Sequence, residues 1–298
     1  MSIQVGDLST IQDLIARAEL EPTLVDIYVE GRRDAELVRL VLAEADIDAT
    51  VFPISDRLDI RSEEIGPYSE DYGNRSKLIT AATQIDAALG ASGHMYTFVA
   101  DADWTSVIGP QTVGDTSLLL TDGPSVEHYF LESPSFQQVL SVGLERSECS
   151  ASDVRKRLLG AMRDVASARL VLNQLNVSCT AKFTALCVFD SDRSSANAVE
   201  IVRRSLAAAS RSSEFSSRKI VDQIAVYRGW IEDASHAGRG HDIAPILIKL
   251  LSLAGDFAKV PVVEAIMRSS VGVAELLEKQ LFQKLVSRIR RNAVIFNS

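Results

Sequence analysis

Three short acidic motifs, each closing an apolar run, constrain this chain more than anything else in it. Tyr28-Val29-Glu30-Gly31, with Asp34 close behind, ends the first run. Phe98-Val99-Ala100-Asp101-Ala102-Asp103 ends the second, and Leu120-Thr121-Asp122-Gly123, leading to Glu127, ends the third. Carboxylates at the ends of successive buried strands repel one another unless a cation lies between them. Oxygen-only sets of this kind suit Mg²⁺ or Mn²⁺, which take few protein carboxylates and keep other positions for water and phosphate. The motifs point to a metal-dependent site for phosphate chemistry.

The segments between the motifs predict an α/β fold. Leu24 to Val29, Thr50 to Ile54, Met95 to Ala100 and Ser117 to Leu120 read as strands. Asp34 to Ala45 and Ser76 to Leu89 carry helical spacing, with Gly90 as a stop signal. Strands alternating with helices imply a parallel sheet that binds ligands at the carboxyl ends of its strands, where the acidic motifs fall. The polar stretch Ser55 to Gly73, broken by Gly66-Pro67, reads as a loop or insertion. Beyond residue 140, helices are expected over Val154 to Leu175, Ala196 to Ala209, Ser217 to Asp233, Ile243 to Ala254, Val260 to Ser269 and Val273 to Arg291. In the last, Val273, Leu276, Leu277, Leu281, Leu285 and Ile289 form a stripe that suits core packing, with a partner or dimer surface as the alternative. This gives a metal-binding α/β domain over 1–140 and a mostly helical, basic region over 141–298.

Charge follows the same division. Residues 1–140 hold 8 Lys and Arg against 24 Asp and Glu, a net of −16; residues 141–298 hold 23 against 16, a net of +7. The acidic part suits metal binding, and the basic part could supply phosphate contacts. The three cysteines, Cys149, Cys179 and Cys187, have no C-x-x-C spacing, which argues against a zinc ribbon or disulfide framework. No leader pattern is read in Met1 to Leu20. The apolar stretch Ile243 to Ala254 is interrupted by Lys249 and too short to cross a bilayer. The expectation is a cytoplasmic protein with no membrane contact.

A strand ending in Glu-Gly, then a helix, then a strand ending in Asp-x-Asp resembles the pattern of Toprim domains, found in topoisomerases, bacterial primases and OLD-type nucleases. The stretch Thr121-Asp122-Gly123-Pro124-Ser125-Val126-Glu127-His128-Tyr129-Phe130 resembles a signature of one Toprim-like subfamily, Thr followed by Ser-x-Glu-Asn-Tyr-Leu, with His128 in place of Asn. That subfamily, long catalogued as a domain of unknown function, includes the nuclease partner of PARIS-type anti-phage systems. Arg75-Ser76-Lys77 and Gly238-Arg239-Gly240-His241-Asp242 are similar to it as well. The resemblance implies a Toprim-like Rossmannoid sheet and a divalent-metal-dependent nuclease acting on DNA or RNA. It implies an effector in phage defence controlled by a separate ABC/OLD-type ATPase, since the chain has no G-x-x-x-x-G-K-[ST] loop of its own. A homodimer is admitted too. The alternative is a non-catalytic module that binds an ATPase partner or nucleic acid.

The expected site follows from these motifs. By resemblance Glu30 is a metal ligand or general acid/base, beside a glycine that permits close backbone approach. Asp101 and Asp103 are expected on one side of an extended segment, sharing a cation with Glu30. Asp34 reads as a further ligand or as an acidic residue of a first helical turn, and Glu127 as a ligand or a helix opener. Arg75 and Lys77 would hold phosphate, or be solvated at a helix start. Asp242 reads as a helix N-cap, and His128 as structural. Asp190-Ser191-Asp192, with no Glu-Gly strand beside it, reads as a strand-to-helix turn.

Overall fold

The computed structural model describes residues 8–21, 23–65, 73–90, 95–103, 116–190, 194–231 and 238–296, with only the backbone at 293–296. Gly66-Pro67 of the expected insertion, Ser191 and Asp192 of the expected turn with the adjacent Arg193, and His94 and His236, which lack metal-ligand spacing and read as structural, lie outside them. The chain divides into two compact units. A sheet unit comprises residues 1–102, 110–122 and 272–298; a helical unit comprises 103–109 and 123–271. The division differs from the expected boundary at 140, because 123–140 groups with the helical unit and 272–298 with the sheet unit.

In the sheet unit, β1 (Asp26–Val29), β2 (Thr50–Pro53), β3 (Tyr96–Ala100) and β4 (Leu118–Leu120) form a parallel sheet in the order β2-β1-β3-β4. Every residue of β1 and β3 is buried, as befits central strands covered on both faces. Phe52, Tyr28 and Phe98 share one register level across β2, β1 and β3. Their ring centroids lie 5.8 and 5.2 Å apart, locking three strands with one row of aromatic side chains. The helices Arg32–Glu44 and Asn74–Leu89 fall where their apolar spacing predicts, and the second ends at Gly90, whose φ of 54° suits glycine.

Two features of this unit escaped the sequence reading. Ile11–Leu20 is a helix opened by a capping box between Thr10 and Asp13, and it packs on Asn74–Leu89. The expected C-terminal helix is two helices, Val273–Leu277 on Arg32–Glu44 and Gln280–Phe296 on β4. Leu276, Leu281, Leu285 and Ile289 of the stripe are buried, so it does pack in a core. The Asp122 carboxylate accepts from the Leu281 N–H at 2.9 Å, and Arg288 donates to the Thr116 carbonyl at 2.7 Å. Arg290 donates to the Ala45 carbonyl at 2.9 Å, so the last helix is also tied to the end of Arg32–Glu44.

Asp26, at the start of β1, is 1% exposed. Its Oδ2 accepts from Arg17 at 3.0 Å and from the Tyr28 hydroxyl at 3.4 Å, while its buried Oδ1 has no hydrogen-bond partner. Burial raises its pKa above the usual 3.8, against the opposing pull of Arg17. It also pushes the nearby Tyr96 phenol up to about 12. A carboxyl with a raised folded pKa binds protons more readily in the folded state than in the unfolded one. Its contribution is fully present below the unfolded value and is lost as pH rises through the folded value. The melting temperature of Asp26→Asn relative to wild type should therefore rise between pH 4 and pH 7, measured by thermal denaturation of both proteins across that range. A difference that is flat or falls with pH would contradict this assignment.

The helical unit is organised around Ala151–Gln174, which packs against Ala198–Ala208, Ser217–Trp230 and Gly240–Leu250. A small antiparallel pair, β5 (Cys187–Phe189) with β6 (Ser194–Ala196), lies on the same helix. Asp190 therefore follows a hairpin strand, where a strand-to-helix turn was expected. Among the described residues the buried carboxylates of this unit are Asp164, Asp242 and Glu264. Asp164 accepts from the Ala196 N–H at 3.0 Å and pairs with Arg228. Asp242 pairs with both Nε and Nη2 of Arg169, at 3.0 and 2.7 Å. It is not the N-cap expected from its position, because Arg239 stands there and Asp242 lies a turn further in. Among the described residues no helix is long and apolar enough to cross a membrane.

Candidate functional site

In the sheet unit the chain leaves β1 toward β2 on one side, whereas β3 lies on the other side of β1 and leads to β4. The order thus reverses between β1 and β3, and the crevice outside the carboxyl ends of such strands is where open α/β sheets bind ligands. Glu30 follows β1 and Asp101 follows β3 at that position, both half-buried. They are linked: the Asp101 N–H donates to Glu30 Oε1 at 2.9 Å. The start of the helix Asn74–Leu89 completes the corner. Arg75 Nε donates to the Asp101 carbonyl at 2.9 Å, and the Asn74 amide donates to the Glu30 carbonyl at 2.7 Å. Lys77 lies half-buried on the same first turn.

Asn74 was missed from sequence although it directly precedes the Arg75-Ser76-Lys77 stretch, since an amide at a helix start reads first as local capping. Thr121, the last residue before Asp122, also acts here: its Oγ1 accepts from the Ala102 N–H at 2.9 Å. That bond fixes β4 against the backbone beside Asp101. Asp34 has a local explanation, because its Oδ2 accepts from the Gly31 N–H at 3.0 Å and closes the first turn of Arg32–Glu44.

The five expected ligands are divided between the units, with Glu30, Asp34 and Asp101 in the sheet unit and Asp103 and Glu127 in the helical unit. The extended reading of Asp101-Ala102-Asp103 fails at its last residue. Asp103 has φ +46°, a left-handed conformation that Asp adopts more readily than most residues. In the helical unit the Asp103 N–H donates to the Pro124 carbonyl at 2.8 Å, and its carboxylate lies 4.0 Å from Arg239.

Glu127 opens the helix Glu127–Glu132. Its carboxylate, with the Ser125 hydroxyl, fills the space that a side chain at Gly240 would need. Gly240 begins the helix Gly240–Leu250, whose amino end favours a carboxylate. A glycine is required there for close approach, which gives the Gly238-Arg239-Gly240 motif a physical role. His128 is 1% exposed, with Nδ1 3.1 Å from Ser125 Oγ, in keeping with a structural residue.

Among the described residues no group of three or more His, Cys, Asp or Glu side chains could hold a metal ion. What the sheet unit presents is a pair of carboxylate residues, Glu30 and Asp101, on adjacent strand ends. That donor chemistry fits Mg²⁺ or Mn²⁺, since Mg²⁺ is commonly held by one or two carboxylates with water and substrate phosphate completing its shell. The fold and this corner define an α/β protein with a parallel sheet, a helical C-terminal region and an acidic pair at the reversal of strand order. Neither the family models nor the curated proteins compared with the chain give a match.

Proposed function

We propose that this chain is a Toprim-like, divalent-metal-dependent nuclease that hydrolyses phosphodiesters of DNA or RNA. The observation carrying this reading is the hydrogen-bonded Glu30–Asp101 pair at the carboxyl ends of the two central strands. Glu30 and Asp101 would hold Mg²⁺ or Mn²⁺, which when bound polarises the phosphodiester and lowers the pKa of the attacking water. The Asp101 N–H orients the Glu30 carboxylate, which would take up a proton during hydrolysis. Arg75, fixed on the Asp101 carbonyl, sets a positive charge for the phosphate, and Lys77 adds a second on the same helical turn. Asp103 and Glu127 belong to the proposal as further acidic groups that follow β3 and β4 in the chain. Cytoplasmic action, a phage-defence role and control by a separate ABC/OLD-type ATPase are carried by the sequence resemblance.

The test is cleavage of labelled tRNA, single-stranded RNA and plasmid DNA with Mg²⁺ or Mn²⁺, with a chelator as control, alone and with a candidate ATPase. Metal-dependent cleavage of one substrate class is the expected result. No cleavage under any of these conditions would favour a non-catalytic module that binds nucleic acid or an ATPase.

A further inference from the structure

The helix Gln280–Phe296 carries four cations, Lys284, Arg288, Arg290 and Arg291, and no carboxylate, inside a sheet unit that is otherwise rich in Asp and Glu. Three of them do not simply face solvent. Lys284, Arg288 and Arg291 line a groove of about 740 Å³ between this helix and β4, together with the polar Gln283 and Ser287. Arg288 is 7% exposed and is held by its bond to the Thr116 carbonyl, so one wall of the groove has a fixed guanidinium. Lys284 and Arg291 are exposed and flank it one turn to either side.

From residue 284 to residue 291 the helix rises about 10 Å, at about 1.5 Å per residue. Arg288 stands about 6 Å along the helix axis from Lys284 and about 4.5 Å from Arg291, so the three long side chains can each reach a separate phosphate of one strand. The groove follows β4 to Thr121 and Asp122 at its carboxyl end. There Thr121 accepts from the Ala102 N–H, one residue from Asp101. The groove therefore leads along the sheet toward the Glu30–Asp101 corner. None of its described lining residues is aromatic, so contacts in it would read the backbone and leave the bases undistinguished.

We infer that this groove binds the sugar-phosphate backbone of a single nucleic-acid strand, without sequence preference, and guides it to the acidic corner; the inference rests on the nuclease reading above. Three phosphate contacts give a slope of log Kobs against log[salt] of about −2, at about −0.7 per contact for single strands. Replacing two contacts should bring the slope to about −0.7 and weaken binding about 25-fold at 0.1 M salt.

The experiment is fluorescence anisotropy of labelled 20-nucleotide RNA and DNA strands of mixed and homopolymeric sequence, in chelator, with wild type and the double variant Lys284→Gln/Arg291→Gln. Both replaced side chains are exposed, and circular dichroism of the variant checks its fold. The predicted loss of slope and affinity, alike for all sequences, supports the groove. A folded variant that binds as wild type does, or a wild type that binds none of these strands, overturns it. Equal competition by a poly-glutamate peptide of the same charge also overturns it, in favour of an acidic polypeptide as occupant. Metal-dependent cleavage is scored separately. Strand binding in the groove without cleavage by wild type leaves the groove standing and counts against the nuclease. Cleavage with an unaltered variant slope does the reverse.

Discussion

Glu30→Gln and Asp101→Asn should each lower metal-dependent cleavage by about 10²–10⁴-fold, the range lost when a positioned acid/base group is removed. Both replacements keep the shape of the side chain. At position 30 the amide oxygen can still accept the Asp101 N–H, so the link between β1 and β3 survives while the negative charge and basicity disappear. Asp101 holds the corner through its backbone, by the N–H to Glu30 and the carbonyl to Arg75, and neither bond needs its carboxylate. Loss of activity with an unchanged melting temperature is thus expected of both. Single-turnover cleavage with melting curves on the same preparations checks this. Activity retained in either variant would remove that residue from the chemistry.

The second large effect lies far along the sequence. Asp242→Ala should destabilise the helical unit by up to about 3 kcal/mol, because it leaves the part-buried Arg169 guanidinium without its carboxylate. Asp242 is 2% exposed and receives two hydrogen bonds from Arg169, which also lies 5.4 Å from the Phe183 ring centre. The pair joins the central helix Ala151–Gln174 to the start of Gly240–Leu250. Removing both charges together, as Arg169→Met/Asp242→Leu, should recover much of the loss, since a well-packed apolar pair can replace a buried ion pair at little cost. Urea denaturation of the three variants tests this. A double variant as unstable as Asp242→Ala would show that the packing around the pair, and not its charge, holds these helices together.

The sheet was legible because its strands are short, mostly apolar runs between turn signals, and β1, β3 and β4 are each followed by a polar residue that marks the carboxyl end. That placed β1 to β4 to within a residue or two and set Glu30 and Asp101 on them. Helical spacing did the same for most helices. The helix Ile11–Leu20 is spelled by its capping box of Thr10 and Asp13, a signal that a search for a leader in this segment passes over. A stripe such as Leu276, Leu281, Leu285, Ile289 shows that a face is buried but not what covers it, so the return of 272–298 to the sheet was invisible. The same limit applies to Asp103 and Glu127. Their spacing fits a shared cation, but Asp103 turns left-handed with its N–H on the Pro124 carbonyl, and Glu127 packs on Gly240, more than a hundred positions away. Asp122, read as part of an acidic motif, instead caps a helix that begins at Gln280.

The return of that last helix also bears on how the protein is made. β4 is synthesised early, whereas the helix that lies on it, and with it one wall of the cationic groove, follows only after the whole of 123–271 has been translated. While the chain is still on the ribosome, β4 lacks the helix that packs on it in the finished sheet unit. On the reading proposed above, a nuclease would then pass through a stage beside messenger and ribosomal RNA in which this wall of the groove is still missing.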